Sequence, residues 1–351
     1  MNKDKDFLEK LGTRYKGATP GLKLQAHHKG QKVIDIAAGD VYRFYDLASL
    51  TKIIFSANLL MRLTDEKKLS LDSKLKTQIS WYQKDHSLKD LLSHSAGLIW
   101  WKPYYKEINL DQSPEQKFKQ LELLISTSPI FEDFKTDGPH KAVYSDLDLF
   151  ISSFFYTRVT GKSLKELWNE QHDRLGFETT NFHYNNKPIF ERDQYAPTEN
   201  SEWRAKVMQA EVHDENTWAL GGIAPHAGLF GEIDELSRWG LKLRKTMLGD
   251  DVEGFATSKT VKQFTKRAIS RELGDWASGF MMPTIGAASC GKYFGVNSVG
   301  HTGFTGTSLW FDPEQDLLVT ILSNRVHPTR TNLEFAKLRP QLHDWVVETL
   351  K

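Results

Sequence analysis

Ser49-Leu-Thr-Lys52 is the stretch with the plainest chemical potential. Residues three apart are neighbours on a helix surface, so a serine that opens a helix and a lysine three positions later share a face. A serine hydroxyl becomes an effective nucleophile when a base takes its proton, and an amine in a dry pocket can help with that. The helix N-terminus adds free N–H groups and the positive dipole end, which favour negative charge developing beside the serine. The same spacing recurs at Ser73–Lys76 and Ser289–Lys292. Context separates the three. Ser49 follows the strand-like Val41-Tyr-Arg-Phe-Tyr45 and precedes the apolar Ile53-Ile-Phe-Ser-Ala-Asn-Leu-Leu-Met61, whereas Ser73 lies in a charged stretch and Ser289 in a Gly-containing loop. On the residues alone, Ser49 reads equally as a nucleophile or as an ordinary helix N-cap.

The elements that must hold this pair can be read from periodicity. Helical spacing of apolar residues predicts helices over 3–12, 49–66, Leu88–Leu92, Pro114–Ser126, Asp146–Val159, Ser163–Leu175, Glu232–Leu248, Lys259–Glu272 and Asn332–Leu350. Gly21–His28 and Lys32–Ala38 read as strands around the turn-like Lys29-Gly-Gln31, and Trp276–Met282, Tyr293–Gly300, Thr307–Phe311 and Leu317–Leu322 as short strands near the end. Strands at both ends with a helical middle predict an α+β fold. Its antiparallel sheet would be built from residues 15–66 and 273–351, with a mostly helical part over 67–272, all within one catalytic domain spanning 1–351.

Four motifs occur in a familiar order: Asp46-Leu-Ala-Ser-Leu-Thr-Lys52, Leu91-Leu-Ser-His-Ser-Ala-Gly-Leu98, Tyr144-Ser-Asp146 and His301-Thr-Gly303. With His213-Asp-Glu-Asn-Thr-Trp-Ala-Leu-Gly-Gly222 and His226-Ala-Gly-Leu-Phe230, the chain resembles serine β-lactamases and penicillin-binding proteins from about Pro20 to Leu350. The resemblance is to the class C β-lactamase-like branch, with its DD-peptidases, esterases and D-aminopeptidases. It implies that Ser49 is the acyl-accepting nucleophile, Lys52 its partner, and Tyr144 the tyrosine that shuttles the serine proton. A phenol acts as a base near neutrality only beside positive charge, which Lys52 can supply. The one literal Tyr-x-Asn, Tyr184-Asn-Asn186, lacks a following helix and reads as a turn. His301, Thr302 and Gly303 stand where the family has Lys-Thr-Gly, with Gly303 letting a substrate backbone lie close to the strand. The backbone N–H groups of Ser49 and Phe304 would form the oxyanion hole, each donor supplying about 3–4 kcal/mol in the transition state.

Two departures from the family pattern shape the expected chemistry. Asp146 replaces an Asn, and its carboxylate would keep Lys52 protonated, leaving Tyr144 as the base. His301 replaces a Lys that gives the family a fixed positive charge, and a histidine is only partly charged at neutral pH. The resemblance therefore implies a serine hydrolase of small esters or of D-amino-acid and peptide amides, with weak β-lactam turnover at most. The alternatives are a DD-carboxypeptidase acting on peptidoglycan peptides, or a non-catalytic binding protein that keeps the fold. His94 and His226 read as structural. Trp100, Trp101, Tyr104 and Tyr105 form an aromatic cluster that could wall a cleft or pack beneath a loop.

Composition narrows the classes further. The 351 residues are 39% hydrophobic and 26% charged, with 46 basic and 45 acidic residues giving a net charge of +1. No basic stripe points to nucleic acid, and no run approaches a membrane span. The single Cys290 leaves no intramolecular disulfide and no multi-thiolate zinc site, and the 12 histidines form no ligand motif, so neither cofactor nor metal is implied. The partner is a small-molecule or short-peptide substrate, and the oligomeric state is open. The charged N-terminus lacks a leader-like apolar run and reads as cytoplasmic; a leader already removed would instead place the chain in the periplasm or outside the cell.

Overall fold

The computed structural model describes residues 3–131 and 140–351. Five strands form its main antiparallel sheet: β1 (Gly21–His28), β2 (Gln31–Gly39), β3 (Val299–Thr302), β4 (Ser308–Asp312) and β5 (Leu317–Ser323). Their order is β2-β1-β5-β4-β3, so the first strand of the chain pairs directly with the last, Leu24 facing Ile321. The sheet is thus assembled from both chain ends, as the α+β reading predicts.

Five helices pack around this sheet or carry residues of the site: α1 (Lys3–Leu11), α2 (Asn58–Asp65), α3 (Asp146–Thr160), α4 (Ile233–Leu248) and α5 (Glu334–Leu350). Strand β5 explains how they are arranged. Successive side chains on a strand point to opposite faces. Leu317, Val319 and Ile321 join a core with Phe7 and Leu11 of α1 and with Phe335, Leu342 and Val346 of α5. Leu318 and Leu322 face the larger core on the other side, with Trp239 and Leu243 of α4. Every residue of β5 is buried, which is why its sequence is mostly apolar on both faces rather than alternating. On the α4 side the packing is close: a Cβ on Gly240 would lie 2.8 Å from the Leu318 methyls.

Several elements differ from expectation. Leu50 follows a turn at Ala48–Ser49, and the helix then passes through a π-helical stretch, Lys52–Ala57, before α2. Such stretches cluster at functional sites because the widened turn re-aims side chains. The helix expected over Lys259–Glu272 covers Ser258–Thr265, and Lys266 is already extended. Trp276–Met282 forms no strand but three isolated bridges, Ala277 with Arg267, Trp276 with Met281 and Met281 with Gly300. The strand expected from Tyr293 begins only at Val299, because Gly295 and Ser298 close a turn and Gly295 N–H donates to Asp312 Oδ2. The helical middle also carries short strands: Leu229–Gly231 and Asn181–Phe182 form a small sheet with Tyr45–Asp46 from before it, Leu229–Gly231 in the centre. Pairs this short leave no periodicity to read.

Candidate active site

The segment before Ser49 is a strained turn held by one buried carboxylate. Ala48 has φ 46°, in the left-handed region that non-glycine residues rarely adopt. Asp46 holds it there, Oδ1 accepting from Ala48 N–H at 2.8 Å and Oδ2 from His213 N–H at 2.7 Å. Burial pushes the Asp46 carboxyl above its ordinary range, against the pull of those two bonds. The turn presents Ser49 half-buried at the start of the helix, with its neighbours Ala48 and Leu50 buried.

Two side chains converge on the Ser49 hydroxyl. Lys52 Nζ donates to Oγ at 3.0 Å and the Tyr144 hydroxyl donates to it at 2.7 Å. Lys52 also donates to Asp146 Oδ1 at 2.7 Å, and its ammonium lies 4.8 Å from the centre of the Tyr144 ring. Helix α3 supplies the carboxylate: Ser145 caps it by accepting from Leu147 N–H, anchors it to the Ile99 carbonyl, and leaves Asp146 in the first turn. Burial works to lower the Lys52 pKa, yet the charge of Asp146 overrides it, and the ammonium is held well above its ordinary value. Tyr144 keeps 39% of its surface exposed, but burial and then Asp146 raise its phenol despite the opposing charge of Lys52. At rest Lys52 is an ammonium and Tyr144 a phenol.

The rival residues lie elsewhere. Tyr184 donates to Asn169, and Lys76 pairs with Asp85. The Lys292 backbone N–H donates to Asp344.

A second layer packs behind the first. His94 lies against the Tyr144 ring at 4.9 Å and against Trp276 at 4.4 Å, and Trp276 stacks on Tyr144 with 12° between planes. The His94 Nδ1 meets Asp148 Oδ2 at 2.6 Å. Burial drives His94 well below and Asp148 well above their ordinary values and so favours the neutral pair, in which the carboxylic acid donates to the imidazole. On the other side, His226 Nε2 lies 3.2 Å from Asp214 Oδ1 and 3.9 Å from Asp146 Oδ2. Asp146, Asp214 and His226 bring three potential ligand atoms within 4.8 Å of one another, a cluster that no sequence spacing announces. The Lys52 ammonium already supplies a cation at Asp146. His226, structural by its sequence context, thus belongs to the edge of the site.

The His301–Phe304 segment is placed differently from expectation. His301 is 1% exposed and packs against Tyr144 at 5.9 Å. Burial and the charge of Lys52 take its pKa down to about 3, so it is neutral, and Nδ1–H donates to the Thr302 carbonyl at 2.8 Å. It offers a substrate no charge, in place of the partly charged histidine that the sequence suggests. Thr302 is half-buried, its hydroxyl 3.7 Å from Met281 Sδ. Gly303 is required by the protein itself: a Cβ there would lie 2.0 Å from Thr307 Oγ1 and 2.8 Å from the Leu47 carbonyl oxygen. Phe304 reaches the cleft, its ring stacked 5.6 Å from His213. Among the described residues, the backbone N–H groups of Ser49 and Phe304 donate to no protein acceptor.

These groups border a cleft of about 420 Å³ lined by Ser49, Tyr144, Asp146, Trp100, Trp101 and Phe304, among others. Trp100 is 64% exposed and stacks on Trp101 at 5.7 Å, so two of the four clustered aromatics wall the cleft. Tyr104 is buried beneath the loop, and Tyr105 packs on Trp203 at 4.4 Å. Among the described residues, no helix is long and apolar enough to cross a membrane.

Known proteins share this architecture. A protein of Escherichia coli O157:H7 named "Putative D-alanyl-D-alanine carboxypeptidase" is 29% identical over 348 residues, covering 87% of this chain and 76% of that protein. The structure of EstCE1, described as a hydrolase with promiscuous acyltransferase activity, superposes with a TM-score of 0.68 at 16% identity, covering 96% of this chain and 99% of that one. A D-stereospecific amidohydrolase from Streptomyces superposes with a TM-score of 0.65 at 17% identity, covering 92% and 94%. A sequence profile of the β-lactamase family matches residues 6–341. The chain therefore belongs to the β-lactamase family and is a hydrolase of the β-lactamase and penicillin-binding-protein superfamily.

Proposed function

We propose that this protein is a serine hydrolase that forms an acyl-enzyme on Ser49 and acts on small esters or on D-amino-acid and peptide amides. The observation that carries this reading is the convergence of Lys52 Nζ, at 3.0 Å, and the Tyr144 hydroxyl, at 2.7 Å, on one serine oxygen. Ser49 Oγ attacks the substrate carbonyl carbon, and its proton passes to the Tyr144 oxygen in the form of the site that has lost one proton from the Lys52–Tyr144 pair. The same proton is returned to the departing alcohol or amine. Water, deprotonated by that pair, then attacks the acyl carbon, releasing the acid and restoring Ser49. The free N–H groups of Ser49 and Phe304 suit the charged oxygen of each tetrahedral step.

Both groups of the pair are raised above their ordinary values, so the competent form grows as pH rises. Activity should climb from neutral into alkaline pH. Its relatives' name points to D-alanyl-D-alanine peptides, which end in a carboxylate. His301 is neutral, and Arg330 at the cleft is held by Glu199 and Glu215, so neither offers a free charge to such an end. β-Lactams, which also carry a carboxylate, should be turned over weakly for the same reason.

Intact-protein mass after mixing with p-nitrophenyl acetate, followed by peptide mapping, tests the reading. A single acetyl group on Ser49, absent from Ser49→Ala, is the expected result. Absence of both adduct and ester turnover would favour the binding-protein reading.

A further inference from the structure

Two buried guanidinium groups hold the successive carbonyls of Gly303 and Phe304, and neither takes part in the proton transfers of the proposed reaction. Arg339, on α5, is 8% exposed; its Nη2 donates to the Gly303 carbonyl at 3.3 Å and its Nε finds no partner. Arg325, just after β5 and also buried, donates from Nε to the Phe304 carbonyl at 2.7 Å and from Nη1 to the Asn332 carbonyl at 2.8 Å. Among the described residues neither forms an ion pair with a carboxylate. Arg325 also lies 4.6 Å from the Phe304 ring centre and Arg339 5.4 Å from that of Phe335, but burying a cation with carbonyl dipoles and ring faces in place of a carboxylate is expensive, so the position of these two needs a reason.

The peptide that Arg339 grips, Gly303–Phe304, supplies one. A trans peptide is planar, with its C=O and N–H on opposite edges. The Gly303 carbonyl accepts from Arg339 and from Gly306 N–H at 3.1 Å, which fixes that edge and so aims the Phe304 N–H the other way. The same turn is tied to the nucleophile segment: the Thr305 hydroxyl donates to the Asp46 carbonyl at 2.7 Å and the Thr307 hydroxyl to the Leu47 carbonyl at 3.0 Å. The two unengaged N–H groups, Ser49 and Phe304, therefore come from segments locked to each other on one side and to α5 on the other.

We propose that Arg325 and Arg339 are positioning residues of the oxyanion site, Arg339 fixing the Gly303–Phe304 peptide and Arg325 the Phe304–Thr305 peptide that follows it, both adding positive potential behind the N–H that meets the developing oxyanion. This rests on the reading of Ser49 as the nucleophile. Burial and then Arg325 lower the Arg339 pKa to about 10, which leaves it charged at neutral pH. Both groups act on charge that exists only in the tetrahedral step, so their removal should be felt in kcat and in the binding of tetrahedral mimics rather than in KM.

The test compares the parent with Arg339→Met, Arg339→Lys and Arg325→Lys. Active sites are titrated by the burst with p-nitrophenyl acetate, then kcat per titrated site, KM and the inhibition constant of phenylboronic acid are measured. Arg339→Met should lose about tenfold or more in kcat per titrated site, because a displaced donor forfeits much of what a preorganised one supplies. Boronate binding should weaken in parallel, KM should change little, and Arg339→Lys should keep an intermediate kcat. A loss confined to the titratable fraction or to thermal stability, with kcat per site and boronate binding unchanged, would overturn the proposal and leave a structural brace. If Arg339→Met does not fold, the two lysine variants carry the same readouts. A parent that shows neither burst nor Ser49 adduct would bring down the nucleophile reading and this proposal with it; a normal parent with unaffected variants would bring down this proposal alone.

Discussion

Two carboxylates two residues apart on α3 meet a base at nearly the same distance and end in opposite states. Asp146 lies 2.7 Å from Lys52 and its charge holds the ammonium; Asp148 lies 2.6 Å from His94, and burial drives both of that pair toward their neutral forms. Distance does not decide between them. The base does: an amine that titrates near 10.4 keeps its proton against a carboxylate, whereas an imidazole near 6.5 gives up the contest once burial penalises both charges. Exposure works in the same direction, with the Asp146 side chain 17% exposed and that of Asp148 1%. The ionic pair faces the cleft and the buried pair supports Tyr144 from behind, so about half a helix turn separates the two.

Breaking the ionic pair should have the largest effect. Lys52→Met leaves Asp146 without its cation and Ser49 without a charged partner, and it should lower kcat/KM for p-nitrophenyl acetate by about 10³-fold or more, the scale on which members of a nucleophile–base unit act. Retention of more than a tenth of the parent rate would show that Tyr144 works without the ammonium.

Asp146→Asn keeps the shape and removes the charge. Asp146 raises both Lys52 and Tyr144, so its loss lowers both, and the form lacking one proton becomes available at lower pH. The alkaline rise of kcat/KM should therefore shift toward neutrality. A pH–rate profile that stays in place would mean that the Asp146 charge does not set the protonation of the pair.

What is legible in the sequence divides along the same line between local and tertiary causes. Ser49 and Lys52 are three residues apart, and the run after them is helical, so their shared face follows from local spacing alone. Tyr144 needs the ordered motifs, because its hydroxyl crosses 95 positions of sequence to reach Ser49. The antiparallel sheet is legible in β1, β2 and the apolar run of β5. Lys52–Ala57 reads as ordinary helix because a π turn leaves the apolar pattern intact. The roles of Asp46, Asp214 and His226 escape sequence reasoning although their motifs are in view: what they touch, His213 N–H for Asp46 and each other for the other two, is fixed by tertiary approach. Gly303 also has a reason internal to the protein. The space it leaves is filled by Leu47 and Thr307 of the same chain, which no pattern around His301-Thr-Gly303 records. Arg325 and Arg339 carry no signal, since a buried arginine and a surface one look alike in sequence.

The neutral pair gives the smallest effect and the sharpest control. If Asp148 is a carboxylic acid that donates to His94 Nδ1, then Asp148→Asn keeps a donor of the same shape at no change of charge. Its thermal stability and its pH–rate profile should stay close to those of the parent. Asp148→Ala removes the donor and strands a buried imidazole nitrogen, still approached by Ser145 N–H at 3.3 Å, and should cost about 1–3 kcal/mol of stability. The profile discriminates as well as the stability does. A neutral Asp148 exerts no charge on Lys52, so its replacement leaves the alkaline limb where it was; a limb that moves toward lower pH in Asp148→Asn would mean that Asp148 is ionised after all. The contrast with Asp146→Asn, the same chemical change two residues away, is then read from two curves on one axis.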